Sequence, residues 1–292
     1  MDEWTNIGLL GASSFVGECL IARLKKEGRR AVAFSRSPSN SKSKPGVSWL
    51  QLPVPSSAFP ELPPIKDWLC VAPIWVLPQY FRMIEAHGAR RVVALSSTSL
   101  FVKTDSSDHG EQDMARRLGE GEHALRAWAV PHGVEWVIVR PTLIYGRGRD
   151  RNVTEIARFV RRWGFFPLLG PAAGLRQPVH VEDVAAACVS ALTAPAAANH
   201  AYNISGEETL SYRDMVCRVF NALDKSPQLM TVPRWLFRLA VSTLRLMPQY
   251  KHWTVEMAER MNHDLVFDHA DAARDLGFSP RAFRLLPDDL PA

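Results

Sequence analysis

The 292-residue chain carries 35 Lys and Arg against 30 Asp and Glu, a formal net charge of +5, and is 47% hydrophobic. That length supports one large domain, or a domain with a smaller companion, whose core needs no disulfide or metal staple. The basic excess favours a phosphate-bearing small ligand over nucleic acid, because the arginines are spread along the chain without aromatic platforms and no helix-turn-helix or zinc-finger spacing occurs.

Cys19, Cys70, Cys188 and Cys217 are far apart and form no C-x-x-C pair, so they read as reduced thiols and give neither a disulfide framework nor a zinc site. The opening Met-Asp-Glu-Trp lacks the basic and apolar regions of a secretion signal, which leads to the expectation of a cytoplasmic protein. The uncharged apolar stretch Trp68 to Leu77 is about half the roughly 20 residues a bilayer span requires, and Pro73 interrupts it.

Taken in chain order, the apolar run Ile7 to Leu10 reads as a strand that enters Gly11-Ala12-Ser13-Ser14-Phe15-Val16-Gly17 and then a helix to Lys26. The first glycine permits the turn, the last lets helix and strand pack closely, and the free amides at the helix start face an anion. The expected ligand is the pyrophosphate of a dinucleotide. Further strands are expected at Ala31 to Phe34, Val47 to Leu50, Trp68 to Ala72, Arg91 to Leu95 and Trp136 to Val139. Helical spacing of apolar residues occurs over Pro78 to His87 and Gln112 to Ala129, and Gly28, Gly88 and Gly133 stand where helices end. This alternation predicts an α/β fold, a doubly wound parallel sheet with crossover helices.

Pro38 to Pro64 is rich in proline and serine and reads as surface loops around one short strand. Beyond Asp150 the pattern predicts a helix over Val153 to Trp163, a loop over Gly164 to Gly174 and an Ala-rich helix over Val181 to Leu192. The remainder, with a short strand at Tyr202 to Ile204, reads as a smaller substrate lobe. The domains are thus expected at 1–200, with a lobe excursion near 151–176, and at 201–292.

No Asp or Glu occurs from Gly28 through Pro60 to bind the ribose hydroxyls of NAD, while Arg36 follows the second strand directly. NADP(H) is therefore the expected cofactor ahead of NAD. Gly11, Ser13, Ser14, Phe15, Val16, Gly17 and Arg36 are its expected contacts, with Ala72 and Pro141 counted beside them.

Several segments together resemble the extended short-chain dehydrogenase/reductase superfamily and its NAD(P)-dependent epimerase/dehydratase branch. Val92-Val93-Ala94-Leu95-Ser96-Ser97-Thr98-Ser99 resembles the strand and active-site serine segment, and Arg140-Pro141-Thr142-Leu143-Ile144-Tyr145-Gly146 the next strand with its loop. Arg176 to Asp183 resembles the segment that re-enters the nucleotide domain, and Phe267-Asp268 through Leu276-Gly277-Phe278 the C-terminal signature. The resemblance implies a Rossmann domain, a nicotinamide cofactor and a phosphorylated, nucleotide-sugar substrate held by Arg176 and Arg260, whose paired forks suit a diphosphate. It also makes Ser97 the catalytic serine, with Thr98 a second donor to the substrate.

The family's Tyr-x-x-x-Lys pair has no counterpart. Aligned through Glu122, its positions hold Met114 and Leu118; no tyrosine lies between Tyr80 and Tyr145, and Lys103 is the only lysine between Lys66 and Lys225. Tyr145 is the first substitute proton donor, ahead of His109, Asp113 and Lys103, which flank the missing pair. Ser14 replaces a glycine common in the family's loop, narrowing it while offering a hydroxyl to phosphate. His180 and Asp183 are too few ligands for a metal site and read as packing and helix-capping residues. Arg234 to Met247 forms a basic amphipathic pattern, for which a lobe helix outweighs contact with anionic lipid. An atypical NADP-dependent oxidoreductase or epimerase/dehydratase-like enzyme is the leading expectation, a homodimer is compatible with it, and a non-catalytic NADPH-binding sensor or assembly protein is the alternative.

Overall fold

The computed structural model describes residues 6–36, 46–54, 62–104, 106–233 and 259–291. The expected amphipathic helix at Arg234 to Met247 lies outside them, as does much of the proline- and serine-rich stretch.

The strands are β1 (Ile7–Leu10), β2 (Ala31–Ser35), β3 (Val47–Gln51), β4 (Asp67–Cys70), β5 (Arg91–Leu95), β6 (Glu135–Pro141), β7 (Ile144–Tyr145), β8 (Phe166–Leu169), β9 (Leu175–Arg176), β10 (Val179–His180), β11 (His200–Ile204), β12 (Leu210–Ser211) and β13 (Leu229–Val232). The helices are α1 (Phe15–Lys26), α2 (Phe81–Ala86), α3 (Ser99–Val102), α4 (His109–Ala129), α5 (Val153–Trp163), α6 (Val181–Thr193), α7 (Tyr212–Ala222) and α8 (Ala270–Leu276). Seven strands form a parallel sheet in the order β11-β6-β5-β4-β1-β2-β3. The strand order reverses at β1, and in such sheets the ligand crevice opens at the carboxyl ends beside that point.

β1 and β2 are buried at every residue, as strands covered on both faces must be. On one face Leu20 and Leu24 of α1 pack with Val184 and Cys188 of α6. On the other, Leu118 and Leu125 of α4 pack with Trp68 of β4 and Met83 of α2. A separate core centred on Phe159, Phe166, Phe220 and Phe283 gathers α5, α7 and the short strands into the smaller lobe. Gly28, Gly88 and Gly133 do lie at helix ends in the left-handed region, with φ of 70°, 72° and 64°.

Three expectations change. The strand at Tyr202 to Ile204 is not part of the lobe: β11 pairs with β6, Tyr202 opposite Val139, so the nucleotide domain runs to Ile204. The chain then returns to that domain at its end, because Ala272, Leu276 and Phe278 join the core beneath α6. The expected loop Gly164 to Gly174 contains β8, whose partner is β13. The helix expected from Pro78 begins instead as a 3-10 segment, Ile74–Tyr80, that runs into α2. Among the described residues no helix is long and apolar enough to cross a membrane.

Candidate functional site

The junction of β1 and α1 shows why its two glycines are needed. Gly11 has φ +84°, and a Cβ there would stand 2.4 Å from the Ala72 backbone nitrogen; one on Gly17 would stand 2.3 Å from the Gly11 carbonyl. Ser14 is the N-cap of α1, its Oγ accepting from the Gly17 amide at 3.1 Å. The hydroxyl that the sequence offers to a phosphate is thus anchored on the helix, with its own proton left to donate. Phe15 and Val16 lie in the first helical turn, where amides have no intrahelical acceptor and the helix end is partially positive. Close backbone approach, free amides and the absence of a Cβ fit a dinucleotide pyrophosphate.

β2 ends at Ser35, and the exposed Arg36 follows it, its carbonyl accepting from Gln51 Nε2 at 2.9 Å. Ala72 is half-buried just past β4. Pro141 is buried at the end of β6, where its carbonyl accepts from both the amide and the hydroxyl of Thr98, each at 3.2 Å.

Beside this cradle a cavity of about 530 Å³ lies between the sheet and the lobe, bordered by Phe15 of α1, Ser97, Thr98, Arg176 and Arg260. At the end of β5 the three successive hydroxyls have different environments. Ser96 is buried and donates to Glu122 Oε1 at 2.7 Å. Ser97 borders the cavity and accepts the Ser99 amide at 3.1 Å, which leaves its proton to donate to a ligand. Thr98 also borders the cavity, yet it is only 5% exposed and its proton goes to Pro141, which weakens the expected donor role.

Arg176 is 4% exposed. It donates to the carbonyls of Leu175 and His263, both at 2.7 Å, and of Arg260, and its guanidinium lies 5.5 Å from the Tyr212 ring. Among the described residues it has no carboxylate partner in salt-bridge range. Burial lowers its pKa to about 10, which still leaves it cationic at neutral pH. Arg260 instead pairs with Glu111 of α4, and Lys103 reaches the same carboxylate at 3.6 Å. Arg149 pairs with Glu18 at the start of α1. Asp150 has its oxygens engaged by the amides of Asn152 and Thr154 and by the Thr154 hydroxyl at 2.8, 3.2 and 2.7 Å. With Lys103, Arg149, Arg151, Arg176 and Arg260 against Asp150 on its border, the cavity has a strongly basic wall.

Tyr145 does not enter this cavity, contrary to the expected proton donor. Side chains alternate along a strand, so Ile144 faces the cavity and Tyr145 turns into the core. Its ring meets His180 and Phe283 edge-on at 5.1 and 4.8 Å, and its buried hydroxyl has no hydrogen-bond partner in the described structure. Burial first, then the nearby Asp289, pushes its pKa upward. Met114 is exposed on α4 and Leu118 is core; neither borders the cavity. His180 caps α6 through Nδ1, accepting from the Glu182 amide at 3.2 Å, and its Nε2 faces Asp289 at 3.0 Å, while Asp183 binds Arg281. His180 thus takes the expected capping role, whereas Asp183 forms an ion pair instead.

Two groupings escape a reading of the sequence. Glu122 is a buried hub that accepts from Ser96, from Arg140 at 2.8 Å and from Arg126 at 2.9 Å. Arg126 at i+4 was the one local signal for it. The Lys103, Glu111 and Arg260 cluster had none, since Glu111 and Arg260 stand 149 positions apart.

Residues 79–205, from the 3-10 segment through β11, match the NAD dependent epimerase/dehydratase family. The match covers the middle of the chain, which resembles that family there. The chain is 30% identical over 137 residues to the UDP-glucose 4-epimerase of Vibrio cholerae, covering 47% of the chain and 42% of that protein. It is 28% identical over 150 residues, 51% of the chain and 35% of that protein, to the mitochondrial NADH dehydrogenase [ubiquinone] 1 alpha subcomplex subunit 9 of Arabidopsis thaliana. Among the curated relatives it matches first, the chain spans about half of each one's length. Its fold matches the Bacillus cereus UDP-glucuronic acid 4-epimerase, solved with UDP-glucuronic acid and NAD, with a TM-score of 0.71 at 14% identity over 95% of both chains.

Proposed function

We propose that this chain binds a nicotinamide dinucleotide on the Gly11 to Gly17 loop, with NADP(H) preferred through Arg36, and acts as an oxidoreductase or epimerase/dehydratase-like enzyme on a phosphorylated substrate of the nucleotide-sugar class. When bound, the nicotinamide supplies or accepts hydride. The chain's own residues bind the phosphates through Arg176 and polarise the reacting oxygen through Ser97. The observation that carries this reading is the buried Arg176 guanidinium, which borders the cavity shared with Ser97 and has no carboxylate partner among the described residues. A buried cation without an ion-pair partner among the described residues is disposed to receive an anion from a ligand.

A second reading has its own support. Met114 and Leu118 occupy the register of the family's proton-transfer pair, and the chain is similar to a respiratory-complex subunit, which favours a dinucleotide-holding assembly protein that has lost its chemistry. Mass spectrometry of the purified protein for bound dinucleotide, followed by NADPH absorbance against a panel of nucleotide sugars, ketones and quinones, separates the two. Turnover that falls in Ser97→Ala supports the enzyme. Bound NADPH that never turns over supports the assembly protein, and absence of any dinucleotide affinity sinks both.

A further inference from the structure

We propose that Lys103 is the proton-transfer group of the cavity, acting on a carbonyl or hydroxyl oxygen of the substrate that Ser97 polarises; this rests on the enzymatic reading above. The geometry reaches Lys103 by elimination. Of the side chains that border the cavity, Arg149, Arg151, Arg176 and Arg260 do not release protons near neutrality. Asp150 is occupied as a cap by three hydrogen bonds. Tyr212 lies under the Arg176 guanidinium, and burial pushes its pKa up to about 12. Tyr145, His109 and Asp113 do not border the cavity at all. Among the described residues this leaves Lys103, which shares the cavity wall with Ser97.

Its setting suits the task. Lys103 closes the short helix α3 directly after the serine segment, so the backbone delivers it to the same wall. Its side chain is 23% exposed, enough to exchange protons with water and too little for full solvation. Burial is the largest influence and lowers its pKa; Glu111 on α4 and Asp108 before that helix raise it, and Arg260 from the lobe lowers it. Burial and a neighbouring cation are how a lysine is brought toward neutral-pH acid and base work, and Glu111 fixes the ammonium in place. In the reducing direction a Lys103 N–H bond breaks and an O–H bond forms on the carbonyl oxygen, while hydride from a dihydronicotinamide reaches the carbonyl carbon. Carbonyl becomes alcohol and ammonium becomes amine, which water reprotonates; oxidation reverses each transfer.

The first test is a titration of the full chain after reductive methylation with 13C-formaldehyde, with the Lys103 resonance identified by its loss in Lys103→Arg. Lys103 is expected to titrate below the other lysines and lower still in Glu111→Gln; a Lys103 that titrates with the rest overturns the proposal. The second test uses the substrate panel above. Lys103→Met is expected to lower turnover by about 10²- to 10⁴-fold with KM little changed, and Lys103→Arg to be as slow, since arginine keeps the charge without a transferable proton. Rescue by Arg reduces Lys103 to an anion contact and overturns the proposal, as does full turnover in Lys103→Met. If the wild type turns nothing over, the enzymatic reading fails first and takes the proposal with it, whereas turnover that survives in Lys103→Met removes Lys103 alone.

Discussion

At the scale of single residues, the hydroxyl of Tyr145 and the guanidinium of Arg176 lead to opposite expectations. The Tyr145 oxygen is buried without a hydrogen bond, so removing it relieves a desolvation cost rather than creating one. Tyr145→Phe should leave turnover unchanged and raise stability by about 1 kcal/mol, read as an upward shift of the thermal midpoint. A loss of activity in this variant would restore Tyr145 as the proton donor. Arg176 stands in the reverse position, since its donors satisfy three backbone carbonyls and hold the fork at the cavity wall. Arg176→Lys keeps the charge and loses the fork, and hydrogen bonds to charged groups contribute about 1.5–3 kcal/mol each. Calorimetry with UDP as the probe should therefore show roughly 10- to 100-fold weaker binding. Affinity equal to the wild type would mean that the phosphates bind elsewhere.

Among the elements, α4 connects the site to the fold, and its hub Glu122 makes the connection sensitive to acid. Burial raises the Glu122 pKa, but hydrogen bonds from Arg140 and Ser96 outweigh it and hold the group below the ordinary 4.5. A lowered native pKa means that the stabilisation is fully present above the unfolded value and fades as pH falls through the native one. Glu122→Gln is expected to lose on the order of 3 kcal/mol at pH 7, because two arginines lose their shared anion. The gap between its thermal midpoint and the wild type's should narrow steadily below about pH 4.5; a gap constant with pH would refute the hub. The central strands were legible in the sequence because parallel strands buried on both faces are apolar runs. β8 was not, since it is four residues long, contains Pro167 and finds its partner β13 some 60 residues later. Ser97, Arg176 and Arg260, distant in the sequence and expected at one site, do border one cavity. The facing of Tyr145 was hidden because β7 is two residues long and a shift of one position exchanges it with Ile144.

For the whole molecule, the fold brings its two cores together at one cavity with a basic wall. Arg260 reaches from the lobe to Glu111 on the nucleotide domain, and the chain end returns under α6, so a ligand in the cavity would touch both cores. Ligand binding to the native state alone must then raise global stability by an amount set by affinity. At a dinucleotide concentration of about 100 times Kd the gain is ~2.7 kcal/mol, which for a chain of this size moves the midpoint by roughly 5 °C. The proposed preference for NADP rests on Arg36, exposed at the end of β2, with no carboxylate from Gly28 through Pro60 to hold the ribose hydroxyls of NAD. NADPH should accordingly raise the midpoint further than NADH at equal concentration. Arg36→Asp removes a cation opposite the 2′-phosphate and supplies an acceptor for the ribose, so the order of the two cofactors should invert without change in the midpoint of the free protein. If thermal shifts with NADPH and NADH are equal in the wild type, or keep their order in Arg36→Asp, the preference for NADP fails.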